Sequence, residues 1–227
     1  MKQYLIPLLT ALASVASAQS QLLTTNWAGG FVNGGVVPDH DLSGLTITEM
    51  LTGLSGAVSE VSVTLNLTGG WNGDIYAYLY HDGVMSVLLN RVGTPANDGL
   101  GYGDSGFNVT LSDSAAFSIH NYQADTPTIT GGGVQGTWQP DGAGLNQLNG
   151  LDASGAWSLY LVDESAGGVM TLNSWGLAIQ AVPEPSTLAL AAMGGLGMLW
   201  HFRRRKKFAA VFRPLAVSRR PSRRVDI

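Results

Sequence analysis

The sequence predicts an all-β body built as an antiparallel β-sandwich, and three observations lead there. Apolar residues recur at every second position in short runs. Gly and Asp doublets punctuate the gaps between those runs, and no segment carries apolar residues at helical spacing. Alternation marks strands with one buried face, and many short strands joined by Gly-rich turns form sandwiches rather than helical layers.

Leu45 and Ile47, set between Thr46 and Thr48, predict the first strand. Val61, Val63, Leu65 and Leu67 alternate with Ser62, Thr64, Asn66 and Thr68 and predict the second. Ile75, Ala77 and Leu79 alternate with Tyr76, Tyr78 and Tyr80, so the third strand is expected to be covered on both faces. Tyr80-His81-Asp82-Gly83-Val84 reads as a hairpin corner, because Asp-Gly tolerates the positive φ angles of a two-residue turn. Phe107, Val109 and Leu111 mark a further strand, as do Trp157, Leu159 and Leu161, then Trp175, Leu177 and Ile179. The matching Trp-x-Leu patterns and the short link through Gly167-Gly168 predict that these last two are antiparallel neighbours.

Both ends read as targeting signals. Lys2, an apolar run from Tyr4 to Ala13, and Ala16-Ser17-Ala18 before Gln19 form a secretory signal peptide, with Ala16 and Ala18 read by signal peptidase. At the other end Val182-Pro183-Glu184-Pro185-Ser186-Thr187 precedes the apolar segment Leu188–Trp200 and the basic cluster Arg203-Arg204-Arg205-Lys206-Lys207. Thirteen residues fall short of the ~20 that a stable span wants, and three of them are glycines. The basic cluster keeps this end cytoplasmic by the positive-inside rule, so everything upstream is outside.

Pro183, Glu184 and Pro185, the short apolar segment, and Arg203, Arg204 and Arg205 together resemble a sorting signal of the PEP-CTERM type. That resemblance implies an exosortase-type processing enzyme as partner and a Gram-negative cell that makes exopolysaccharide. It also implies a transient inner-membrane intermediate, followed by release to the cell envelope or extracellular matrix. A plain membrane anchor is the alternative. The tail beyond Lys207 departs from the pattern and adds Arg213, Arg219, Arg220, Arg223 and Arg224. The chain thus parses as a signal peptide (1–18), an N-terminal extension (19–44), the sandwich (45–181), the sorting signal (182–207) and a basic cytoplasmic tail (208–227).

Between the two signals the charge is lopsided. Arg91 stands alone against fourteen Asp and Glu, a formal −13, whereas the whole chain carries −4. Such a body repels phosphate backbones, which excludes nucleic acid as a partner. The chain has no Cys, so no disulfide framework accompanies export.

Two local patterns carry a second resemblance. Gly73-Asp74-Ile75 opens a strand, and Gly155-Ala156-Trp157-Ser158-Leu159 through Asp163 is followed by Leu172-Asn173-Ser174-Trp175-Gly176-Leu177. Over roughly Leu45–Gln180 the chain is similar to the P domain (Homo B domain) of proprotein convertases and bacterial subtilases. The resemblance implies a jelly-roll-like sandwich, here without a catalytic domain before it.

Candidate chemistry is sparse. Gly103-Asp104-Ser105-Gly106 copies a serine-protease nucleophile loop, yet no histidine loop of that family accompanies His40 or His81. Asn97, Asp98 and Asp104 share a Gly-rich loop whose oxygens suit calcium, the one cofactor the sequence suggests. Asp74, Asp152 and Asp163 fall at strand ends that a sandwich brings together, and ordinary Asx turns account for the same residues. The Tyr76, Tyr78 and Tyr80 row, with Trp71 and Trp138 in loops, reads either as a sugar-stacking surface or as sheet packing. The expectation is a non-enzymatic exported module, structural, adhesive or exopolysaccharide-associated. The alternatives are a P domain acting in trans with a subtilisin-like protease and a carbohydrate-binding module.

Overall fold

Period-two burial turns each predicted run into a strand. They are β2 (Leu45–Leu51), β3 (Ala57–Gly69), β4 (Ile75–His81), β6 (Phe107–Ser112), β9 (Gly155–Asp163) and β10 (Met170–Val182), and the hairpin corner leads into β5 (Val84–Asn90). The computed structural model adds β1 (Gln21–Ala28), β7 (Ile129–Thr130) and β8 (Gly133–Trp138). It describes residues 19–94, 99–125, 129–130, 133–183 and 194–201. Ala16, Ala18, Asn97, Asp98, Glu184, Pro185, Arg203, Arg204 and Arg205 lie outside the described residues.

The strands form two sheets, ordered β1-β10-β3-β6-β8-β7 and β2-β9-β4-β5. With β7 and β8 set aside, the orders 1-10-3-6 and 2-9-4-5 are those of a jelly roll. The inward residues of both sheets make one core, including Val63, Leu65 and Leu67 from β3 and Trp157, Leu159 and Leu161 from β9. Asp82 and Gly83 turn β4 into β5 with φ of 45° and 78°, as the Asp-Gly corner predicts.

Bulges keep the apolar positions inside where the alternation slips. Leu172 and Trp175 stand three apart yet are 1% and 0% exposed, because the register shifts between Leu172 and Ser174. The register also shifts between Ala77 and Tyr78, whose β5 partners are Leu89 and Val87. Leu88, left between them, is buried along with Leu89.

Four expectations are corrected. The larger sheet is mixed, since β6 and β8 run parallel. A parallel pair needs a long crossover, and the chain between them includes a 3-10 segment, Ile119–Asp125, that buries Ile119 and Tyr122. Secondly, β9 and β10 are not neighbours: β9 pairs with β2 and β4, and β10 with β1 and β3. Trp157 and Trp175 do share the core, but from opposite sheets. Thirdly, the first strand is not at Leu45: β1 already pairs with β10 from Gln21 to Ala28 and sets Trp27 against Trp175 at 4.6 Å. Fourthly, the β4 strand is covered on one face only, because Tyr76 and Tyr78 are half-buried and Tyr80 is exposed.

The chain divides into a unit that ends at Glu184 and a second unit from Pro185. In the second, residues 194–201 are helical, and among the described residues no helix is long and apolar enough to cross a membrane.

Candidate functional site

Three surfaces of the body carry chemistry, and the first is the acidic end beside β4. The register pairs Ile75 with Asp163, which brings the end of β9 to the start of β4, next to Asp74. Both Asp side chains are buried, at 4% exposure for Asp74 and 1% for Asp163. Neither carboxylate oxygen of Asp163 has a hydrogen-bond donor in ordinary geometry. Burial first, then the charges of Asp74 and Asp39, push its pKa up to about 6. Asp74 is raised as well, chiefly by burial, with the Ser165 hydroxyl and Arg91 opposing.

Arg91 is the single Lys or Arg between Lys2 and Arg203, and it is spent at this end. Its Nη1 lies 2.7 Å from Glu164, while Nε donates to Gly73 O (3.1 Å) and Nη2 to Gly99 O (3.0 Å). Asp39 accepts from the Gly167 amide at 3.2 Å, tying down the link between β9 and β10. The sequence puts Asp74, Asp152 and Asp163 at strand ends that a sandwich can bring together. The structure joins Asp74 to Asp163, whereas Asp152 serves as a turn residue that accepts from Ser154 N (3.0 Å).

The Asn97–Asp104 loop shows one of its three candidate ligands. Asp104 Oδ2 accepts from Tyr122 Oη (2.8 Å) and Gln123 Nε2 (2.7 Å), so calcium would compete there with two donors. Among the described residues no three His, Asp or Glu side chains converge as metal ligands. His40, His81 and His120 are engaged with partners other than Ser105. His40 bonds Glu164 O at 2.7 Å, His81 bonds the carbonyls of Ala156 (2.9 Å) and Asp152 (2.5 Å), and His120 faces Asp141 at 3.2 Å.

The second surface is the outer face of the β2-β9-β4-β5 sheet. Its outward positions hold Thr, Ser, Tyr, Met, Val, Ala and Asn but no Asp, Glu, Lys or Arg, on a body of formal charge −13. Tyr76 and Tyr78 lie with ring centroids 6.0 Å apart, and Tyr78 and Tyr160 6.1 Å apart, all near parallel. Tyr80, Met85 and Met50 extend the face at 39%, 42% and 67% exposure. Trp138 does not join it: this residue ends β8, is buried, and donates Nε1–H to Gln135 O at 2.9 Å.

The third is the place where the chain leaves the sandwich. Ala181 pairs with Gln21 on one side and Val58 on the other, and Val182 pairs with Ala57. Pro183 follows half-buried against a recess of about 290 Å³ lined by Ser55, Gly56, Ala57, Gly150 and Asp152.

Residues 181–205 match the model of the PEP-CTERM protein-sorting motif. The chain carries a PEP-CTERM sorting signal. The PEP-CTERM match starts inside β10, so the sorting signal and the sandwich share Ala181 and Val182. The motif brings Pro183, Glu184, Pro185, Arg203, Arg204 and Arg205 into one recognised segment. No curated protein matches the chain. Two solved structures of the serine protease of Aeromonas sobria are similar to it. The first, in complex with a chaperone, has a TM-score of 0.45 and 16% identity, covering 73% of this chain and 28% of the other. The second, the protease itself, has a TM-score of 0.44 and 15% identity, covering 72% and 27%. The chain thus spans less than a third of the length of either.

Sequence reasoning missed Asn72, which is fully buried. Its Oδ1 accepts from Gly106 N (2.7 Å), and its Nδ2 donates to Gly106 O (3.1 Å) and to Tyr122 Oη (3.2 Å). An Asn among glycines reads as a turn residue, and nothing local marks it as the clasp between β3–β4 and β6. Gly56 escaped notice for the same reason.

Proposed function

We propose that this chain is an exported, non-enzymatic β-sandwich, sorted through the inner membrane of a Gram-negative cell and released to the envelope or matrix. The observation that carries the reading is the PEP-CTERM match at 181–205, continuous with the last strand. Signal peptidase removes the N-terminal segment after Ala18. An exosortase-type enzyme then cuts near Pro183–Ser186, while Arg203, Arg204 and Arg205 hold the far end in the cytoplasm. The released body is structural or adhesive in the exopolysaccharide layer. Replacing Pro183, Glu184 and Pro185 with Ala should leave the full-length chain in the membrane fraction. Release of this variant at the wild-type level would defeat the proposal.

Association with polysaccharide rests on the tyrosine face. Aromatic rings and hydroxyls without charge suit the C–H faces and hydroxyls of a neutral sugar chain. The body's own charge disfavours anionic polymers and a second copy of itself. The released body should be retained on the producing cell's purified neutral polysaccharide. Tyr78→Ala and Tyr80→Ala should each weaken retention several-fold with Tm little changed, and undiminished retention in both would remove this reading.

A further inference from the structure

The sorting motif begins at Ala181, where the strand is paired on both edges. Ala181 is fully buried with β1 on one side and β3 on the other, and Val182 is still paired with Ala57. Enzymes that cut a peptide bond take the flanking chain in extended form, commonly by adding it to a strand edge of their own. Ala181 cannot be taken that way while it belongs to the sandwich, and Val182, open on the β1 side, is still held by Ala57 on the other.

The grip on them is built into the fold. A Cβ on Gly56, whose φ is +104°, would sit 2.3 Å from Val182 O and 2.6 Å from Pro183 Cα. Only a glycine lets the 52–56 loop lie so close against the departing chain. The loop is fixed from behind. Val58 N donates to Leu151 O (2.8 Å), Gly150 N to Val58 O (2.8 Å) and Ala153 N to Gly56 O (3.0 Å). The register shift between Gln180 and Ala181 sets these last residues off from the regular ladder and marks where the strand end can part.

We propose that the folded body clamps the upstream side of the sorting signal, so that parting of residues 181–183 from the Gly56–Val58 segment limits the rate of processing. The proposal rests on the processing reading above. Gly56 is the positioning residue, and the clamp makes the sandwich's own stability at this corner a regulator of release.

The test is a pulse–chase of the full chain in the producing cell, following conversion of the membrane form to the shortened form. Inserting Gly-Ser-Gly-Ser between Val182 and Pro183 keeps the Pro-Glu-Pro order and frees it from the body. Conversion should become about tenfold faster, the weight of one net hydrogen bond. Gly56→Ala should accelerate it in the same direction, with the Tm of the purified body reporting whether the sandwich is intact. Conversion of the insertion variant at the wild-type rate or slower would overturn the clamp. If the wild-type chain is never shortened, the processing reading has failed instead, and the two failures are distinct.

Discussion

Asp163 shows what a buried carboxyl does when its cation is given to a neighbour. Arg91 reaches Glu164 at 2.7 Å, and the charges of Asp74 and Asp39 beside Asp163 outweigh the opposing His40. Its pKa is about 6 in the folded body against 3.8 for an unperturbed Asp, so the folded state holds the proton more tightly. The stability this provides is complete below the unfolded pKa and is lost as pH rises through the folded one. Asp163→Asn removes that dependence while keeping the shape. The Tm of the variant relative to wild type should therefore climb between about pH 4 and 6 and level off above. A difference that stays constant across this range would show that Asp163 titrates normally. The sequence signalled the strand-end position of Asp163. It did not signal the isolation, which depends on where a single distant Arg points.

At the scale of elements, alternation was legible because it records which face is buried, and that holds for β2, β3, β4, β6, β9 and β10, whereas β5 was signalled only by the Asp-Gly corner before it. It does not record which strand lies alongside. The paired Trp-x-Leu patterns of β9 and β10 look like one hairpin, yet the strands sit in opposite sheets. The β1 strand was illegible because Leu22 and Leu23 break the alternation, and as an edge strand it buries only Leu23, Thr25 and Trp27 in part. The slip at Asn173 likewise hid the first half of β10. The two tryptophans test the assignment. Truncating either Trp157 or Trp175 to Ala should cost ~3–5 kcal/mol, and an unchanged Tm would remove that ring from the core. Phe should separate them: Trp157 Nε1 donates to Ala153 O (3.3 Å), whereas Trp175 Nε1 is buried without an acceptor. Trp175→Phe is thus expected to be the milder change by calorimetry, since it removes an unpaired donor.

For the whole molecule, the two ends hold eleven of the twelve Lys and Arg, and the proposed processing would remove them. What the proposal releases is a body of formal charge near −13, soluble and self-repelling, with one uncharged aromatic face. The sorting signal was the most legible feature of the chain, because its three parts are contiguous and compositional. The tyrosine face was half legible, since the tyrosine row announces itself but its exposure depends on the topology. The most direct measurement is the intact mass of the protein from extracellular and membrane fractions. The account predicts an extracellular species that begins at Gln19 and ends between Pro183 and Ser186. An extracellular pool that still carries Leu188–Ile227 would contradict it.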